Sequence, residues 1–323
     1  MKLTRRTLVL GAVATPFVAR AQTPGWPPAN LRIVVAYPPG GSTDAIMRML
    51  QPGLQQRLGT TVIIENRSGA SGSVGTASVA KSPPDGSTWL AVFDNHGANP
   101  FVLPSLPYDT EKDLDPVLLI GTAPYLLSTA KTKPYNTLAD VIKAAKEKPG
   151  TVSYASVGSG SIGHLAMALL AQRADVKMVH VPYRGGGPAM NDAVAGHVDL
   201  LVGSTALSMP QVGVGNLRAI AQTGKERNKF LTSVPTVAES GFPGFEAYAW
   251  WGIFAPAGTP KPIVERFSNE MAATLREEKI AKQLIETQQV SLLLGGPEVE
   301  RKFVSDQMSV WGKVVKDNNI KAD

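Results

Sequence analysis

The sequence predicts an α/β protein of two lobes joined by two strands, with mostly parallel sheets. Three observations carry this. Apolar runs of strand length alternate with segments of helical spacing along nearly the whole chain. Two apolar segments, Pro116–Ala130 and Glu246–Pro256, bracket a central α/β stretch and read as crossings between lobes. Two glycine loops, one on each side of the first crossing, each end a strand and open a helix. Such loops lie at the carboxyl ends of strands, where ligands bind in open sheets.

The chain of 323 residues is long enough for two domains and a substantial core. Residues 1–21 are expected to be an export signal. Lys2, Arg5 and Arg6 form a basic start, Leu8–Ala19 is an apolar run too short to span a membrane, and Ala19-Arg20-Ala21 is a small-x-small cleavage site. Thr4-Arg5-Arg6-Thr7-Leu8 also suits a twin-arginine signal, so either general secretory or twin-arginine export is open. Removing this segment takes away four basic residues and no acid, which leaves 28 basic against 26 acidic side chains. A net charge of +2 with no clustered basic face excludes a nucleic-acid partner from the expectations. With no cysteine, a disulfide, a thiolate nucleophile and Cys-ligated zinc are excluded outright.

In chain order, a strand at 31–36 leads through Tyr37-Pro38-Pro39-Gly40-Gly41-Ser42-Thr43-Asp44 into a helix over 43–57. Prolines stiffen this first loop, glycines allow close approach of a ligand, and the helix aims its free N–H groups at it. There is no Gly-Lys-Ser/Thr, so a nucleotide P-loop is excluded. An anion cradle and a plain turn capped by Ser42, Thr43 or Asp44 are both open readings. A strand at 61–64, the rim loop Asn66–Ser73 and a helix over 73–81 follow, then a strand at 88–92. Strands at 117–120 and 125–129, parted by Gly121-Thr122-Ala123-Pro124, make the first crossing, and a helix over 137–147 comes next.

A strand at 151–155 ends in the second loop, Ser156-Val157-Gly158-Ser159-Gly160-Ser161-Ile162-Gly163-His164, which opens a helix over 161–173. Gly158, Gly160 and Gly163 match G-x-G-x-x-G, but the next strand, at 177–181, ends in Pro182-Tyr183-Arg184 with no acid, which argues against a dinucleotide. The third loop, Tyr183-Arg184-Gly185-Gly186-Gly187, precedes a helix over 187–195; Arg184 suits a bidentate carboxylate contact or simple solvent exposure. Strands at 198–202, 217–222 and 252–255 and helices at 261–275, 279–287 and 297–316 complete the chain. His96, His164, His180 and His197 are scattered, without metal-type spacing, and loop two lacks G-x-S-x-G. No catalytic residue, cofactor or metal is therefore expected. An exported serine hydrolase using a loop-two serine is the enzyme alternative.

Seven segments taken together resemble the Bug family, the extracytoplasmic receptors of tripartite tricarboxylate transporters. They are VVAYPPGGSTDAIMRM from Val34, ENRSGASGSVG from Glu65, PYDTEKDLDPVL from Pro107, PGTVSYASVGSGSIGHL from Pro149, VHVPYRGGGP from Val179, PTVAESGFPGF from Pro235 and FAPAGTPKP from Phe254. The resemblance covers essentially all the chain after the signal. It implies a periplasmic, two-lobed binding protein of the type II-like Venus-flytrap kind, with lobes at 29–123 plus 252–323 and 124–251. Such a receptor acts as a monomer and hands a small carboxylate to membrane transporter subunits; a signalling partner is the alternative. Carried over, the ligand contacts are Tyr37, Pro39, Gly40, Gly41, Ser42, Thr43 and Asp44 in loop one. In loop two they are Ser156, Gly158, Ser159, Gly160, Ser161 and His164, joined by Tyr183, Arg184 and Gly185. Ser204 is counted with them, although its segment, Leu201-Val202-Gly203-Ser204-Thr205, departs from the family's Met-Phe-Asp-Asn. Ala168, where many members carry Glu, and Asp94-Asn95-His96 are further departures. The acid missing near Gly203 turns the expectation away from amino acids and towards a purely anionic or aromatic carboxylate.

Overall fold

The computed structural model describes residues 25–321, so the signal expected at 1–21 lies outside the described residues. Strand β1 (Asn30–Val35) buries Leu31, Ile33, Val34 and Val35 and feeds helix α1 (Ser42–Leu58). Ile46, Met47, Leu50, Leu54 and Leu58 recur at helical spacing and form the buried stripe of α1. The helix stops at Gly59, whose left-handed backbone lets its N–H return to the Gln55 carbonyl. Then come β2 (Thr61–Asn66), α2 (Ser73–Ala80), β3 (Thr88–Phe93) and the short α3 (Asn99–Val102).

The two strands expected at 117–120 and 125–129 are one strand, β4 (Leu114–Ala130). Gly121 and Pro124 do not break it because its neighbours absorb them. Register shifts between Pro116 and Leu118 and between Leu119 and Gly121 take up the irregularity. A β-carbon at Gly121 would lie 2.4 Å from the Ser291 carbonyl oxygen, so glycine there is what admits the next strand.

Helix α4 (Leu138–Glu147), β5 (Ser153–Ser156), α5 (Ile162–Ala174), β6 (Val179–Pro182), α6 (Gly186–Ala195), β7 (Leu200–Ser204), α7 (Thr205–Gly213) and β8 (Leu217–Gln222) form the central stretch. The chain then runs through β9 (Tyr248–Pro256), α8 (Lys261–Leu275), α9 (Glu278–Thr287), β10 (Ser291–Gly295) and α10 (Pro297–Asp317). Helix α7 and strand β10 were not expected. The α7 segment carries Pro210 in its interior, and its start is set by Ser204, whose Oγ accepts from the Leu207 N–H at 3.4 Å.

The strand order is β2-β1-β3-β9-β4-β7-β5-β6, with β8 and β10 also on β4. The outer strands are parallel, β1 with β2 and β3, and β5 with β6 and β7. The centre is antiparallel: β4 pairs with β7, β8, β9 and β10, and β9 with β3. The expected mostly parallel sheets are thus mixed ones, parallel at the flanks and antiparallel at the crossing. Residues 114–124 of β4 pair with β9, and residues 125–130 with β7 and β8. One strand therefore belongs to both halves of a two-lobed α/β fold, and β9 runs beside it.

Trp89 stacks on Phe267 at 3.8 Å between ring centroids in the core of the first half. On α4, the Thr137 hydroxyl accepts from the Asp140 N–H at 3.2 Å, and the Asp140 carboxylate accepts from the Thr137 N–H at 2.9 Å. This reciprocal cap faces solvent, so Thr137→Ala is expected to lower stability by about 1 kcal/mol in chemical denaturation.

Candidate functional site

Loop one is held from within. Asp44 is 3% exposed, and its carboxylate accepts from the Gly40 N–H at 2.9 Å, the Arg48 Nε at 2.9 Å and the Asn66 Nδ2 at 3.0 Å. Burial opposes ionisation, but these three donors outweigh it and hold the Asp44 carboxyl below its usual range. The same Asn66 amide donates to the Tyr37 carbonyl at 3.1 Å. Asp44 therefore braces the loop with both its oxygens. Helix α1 has no side-chain cap, so the amides of its first turn face the exposed Pro39-Gly40-Gly41 segment. Ser42 Oγ accepts from the buried Trp251 Nε1 at 3.3 Å, which ties the loop to β9. Thr43 is buried behind it.

Loop two is built the same way. The Ser161 hydroxyl caps α5, accepting from the His164 N–H at 3.3 Å and donating to the Gly158 carbonyl at 2.7 Å. The Gly160 N–H donates to His164 Nδ1 at 3.1 Å. The His164 ring stacks on His180 at 3.7 Å, and His180 stacks on Tyr154 at 5.0 Å. Burial lowers the His180 pKa to about 4, so this stack carries a neutral imidazole beneath the loop. Gly158 and Gly160 have φ of 144° and 76°, which only glycine adopts at little cost. Ser159 lies between them at intermediate exposure.

Loop three docks on loop two. The Tyr183 N–H donates to the Ser156 carbonyl at 3.1 Å and the Gly185 N–H to the Val157 carbonyl at 3.3 Å. The Tyr183 hydroxyl donates to Asp192 on α6 at 2.6 Å. Arg184 is exposed and belongs to none of the ion pairs among the described residues. Ser204 caps α7 beside Tyr125, its partner on β4.

The two halves meet at this point. A β-carbon at Gly160 would lie 2.8 Å from Val102 Cγ2 on α3, and one at Gly163 3.3 Å from Cε1 of Tyr125. Between the loops lies a floor formed by the turn after β3. The Phe93 N–H donates to the Tyr37 hydroxyl at 3.0 Å, and that hydroxyl donates to Asn95 Oδ1 at 2.6 Å. Asp94 is fully buried, and its Oδ2 accepts a short hydrogen bond from the Tyr125 hydroxyl. An acid thus does stand between the loops, in the turn after β3 and not on β7, where the sequence was read for one. Tyr125 and Asp94 were absent from the sequence-based candidates, and the Trp250-Trp251 pair, open to stacking on a ring or lining the hinge, read more readily as structural. The one signal was that Asp94-Asn95-His96 departs from the pattern of similar chains.

This arrangement presents main-chain amides and neutral hydroxyls along the two loops. It is not arranged for nucleophilic catalysis. Ser156 Oγ lies 2.7 Å from His180 Nε2, a nucleophile–base distance, but Ser156 is fully buried. Ser161 is a helix cap, and His164 Nδ1 is occupied by a main-chain N–H. Among the described residues no group of three or more His, Asp or Glu is placed to hold a metal ion, and no helix is long and apolar enough to cross a membrane.

Two halves that share a pair of crossing strands and present one amide-lined loop each define a solute-binding protein. The tripartite tricarboxylate transporter family receptor model matches residues 46–320, and the chain belongs to that family. Three solved structures are similar along nearly their whole length. R. palustris Rpa4515 with adipate has a TM-score of 0.86 and 33% identity, covering 92% of this chain and 99% of that one. The periplasmic binding protein BugD has a TM-score of 0.84 and 30% identity, covering 92% and 100%. MatC from Rhodopseudomonas palustris with bound malate has a TM-score of 0.81 and 31% identity, covering 89% and 99%. The family and these neighbours are binding proteins and not enzymes. The expected resemblance and the two-lobed fold are borne out.

Proposed function

We propose that this chain is a periplasmic receptor that captures a small carboxylate between its lobes and delivers it to the membrane subunits of a tripartite tricarboxylate-type transporter. The observation that carries the reading is the pairing of loops: the uncapped first turn of α1 on one side and the glycine-rich start of α5 on the other. Adipate and malate, bound by two similar proteins, are both small dicarboxylates. In this reading residues 1–21 are a cleaved export signal, and the lobes comprise 29–123 plus 252–323 and 124–251. The receptor works as a monomer. The carboxylate lies against the amides of loops one and two and the hydroxyls of Ser42 and Ser159, with Arg184 at the rim, while Thr43 supports loop one from behind. Binding and release then need only lobe closure and opening.

A thermal-shift screen of residues 22–323 against mono-, di- and tricarboxylates, aromatic acids and amino acids tests this. A ligand present at about 100 times its Kd should add about 2.7 kcal/mol of stability. The expected result is a clear shift for one carboxylate class that is reduced in Ser42→Ala. No shift with any carboxylate, together with turnover of an ester or amide panel, would overturn the receptor in favour of a hydrolase.

A further inference from the structure

We propose that the cleft selects carboxylates with a bare hydrocarbon body, chain or ring, over hydroxy acids, and that Phe93 is the residue that reads the body. This rests on the receptor reading above and names the substrate class of that site.

Three neighbouring strands build an aromatic shelf at the foot of loop one. Tyr37 follows the end of β1, Phe93 ends β3, and Trp251 lies opposite Phe93 in the antiparallel register of β3 and β9. The Phe93 ring centroid is 5.4 Å from that of Trp251 and 6.2 Å from that of Tyr37, which it meets edge-on. Alternation along β3 puts Phe93 on the same sheet face as Trp89 and Ala91, the face that α1 and α8 cover. Trp89 and Ala91 have no exposure there, whereas Phe93 is partly exposed. The cover ends where α1 begins, at Ser42, whose Oγ accepts from Trp251 Nε1 at 3.3 Å. The open part of Phe93 therefore lies in front of the first turn of α1, beside the amides that would take a carboxylate. Tyr37 and Ser42 are partly exposed at the same place.

The hydrogen-bonding groups around this shelf are already engaged with one another. The Tyr37 hydroxyl accepts from the Phe93 N–H at 3.0 Å and donates to Asn95 Oδ1 at 2.6 Å. Asn95 Nδ2 donates to the Ser71 carbonyl, and the one side-chain donor of Trp251 is held by Ser42. Asp94, behind them, has no exposed surface. A ligand hydroxyl laid on the shelf would leave water and meet no partner, which costs binding. A methylene or a ring gives up nothing there and covers apolar surface on both sides. The ends of the ligand and its body are thus read by different parts of the cleft, the ends by loop amides and the body by Phe93.

Calorimetric titration of the mature protein with three matched pairs tests this: succinate against malate, adipate against 3-hydroxyadipate, and phenylacetate against mandelate. The members of each pair differ by one hydroxyl on the body. In the pair that binds best, the unsubstituted acid is expected to bind about ten- to a hundredfold tighter than its hydroxy partner. Phe93→Ala is expected to weaken the unsubstituted acid about tenfold, the worth of roughly 50 Å² of apolar contact. It should also narrow the gap within the pair, because water can then stay with the hydroxyl. Phe93→Leu, which keeps an apolar side chain, is expected to retain the gap, and the melting temperature of each variant checks that it is folded. Equal or tighter binding of the hydroxy acid by the native protein, binding of citrate but of none of the six, or a gap that Phe93→Ala leaves unchanged would each overturn the proposal while leaving the receptor intact. Failure of the native protein to bind any small carboxylate would overturn both.

Discussion

Asp44→Ala is expected to weaken carboxylate binding about a hundredfold. The carboxylate joins the Gly40 N–H, Arg48 and Asn66 at one point, Arg48 also donates to Asn66 Oδ1 at 2.9 Å, and Asn66 in turn carries the Tyr37 carbonyl. Without it the Pro39-Gly40-Gly41 segment loses its inner brace, and the amides at the start of α1 no longer converge. Charge-assisted hydrogen bonds are each worth about 1.5–3 kcal/mol. Losing about 2.7 kcal/mol from the binding-competent loop corresponds to the hundredfold weakening. Asp44→Asn keeps the shape and loses the charge, so it is expected to fall between native and alanine. Isothermal titration of the three proteins with one ligand checks the order, and equal affinities would show that the loop holds itself. The pH dependence has a definite sign. The folded-state pKa of Asp44 lies below its usual 3.8, so its contribution is complete above about that pH and is lost as acid titrates it through the lower folded value.

Glu300→Ala is expected to cost about 3–5 kcal/mol of stability, a larger loss than truncating an exposed acid would bring. Glu300 projects from α10, is fully buried, and its Oε2 accepts from the Val117 N–H at 2.8 Å. Val117 is the residue displaced from the β4–β9 ladder between Pro116 and Leu118. The side chain therefore supplies the acceptor that the bulge denies the main chain. Space for it comes from Gly252: a β-carbon there would lie 2.3 Å from Glu300 Oε1, so Gly252→Ala is expected to be destabilising as well. Burial raises the Glu300 pKa well above its usual 4.5, against the main-chain hydrogen bonds that lower it. Its stabilising contribution is thus full below about pH 4.5 and declines as pH rises towards the folded value. Glu300→Gln keeps the acceptor and cannot ionise. It is expected to hold native stability in acid and to flatten the decline above it, read as Tm against pH for the three proteins.

Much of this was legible in the sequence because the signals were local. The alternation of strands and helices, the Pro-Pro-Gly-Gly turn into α1 and the Ser-capped start of α5 each follow from a few adjacent residues. What escaped depended on partners far along the chain. Gly121 and Pro124 read as breakers because nothing nearby announces that β9 and β10 will pair with β4 around them. Pro210 hid α7 in the same way. Asp44 read as one more polar residue of a ligand loop, but the donors that surround it include Asn66, which lies beyond the whole of α1. Asp94 was passed over because its meaning comes from Tyr125, on a strand of the opposite half.

The shared strand also orders events during synthesis. Strands β5 to β8 follow one another closely, so that half can assemble on a nascent chain as soon as β8 and its loops have emerged. The first-made strands β1 to β3 cannot complete their sheet until β9 arrives, and β4 presents an open edge until β10 does. Contacts of such long sequence separation form late and slowly. The half that is translated first is therefore the half that is finished last, and a chain cut short before β9 would keep its second half while leaving the sheet of β1 to β3 unfinished and open to proteases and chaperones.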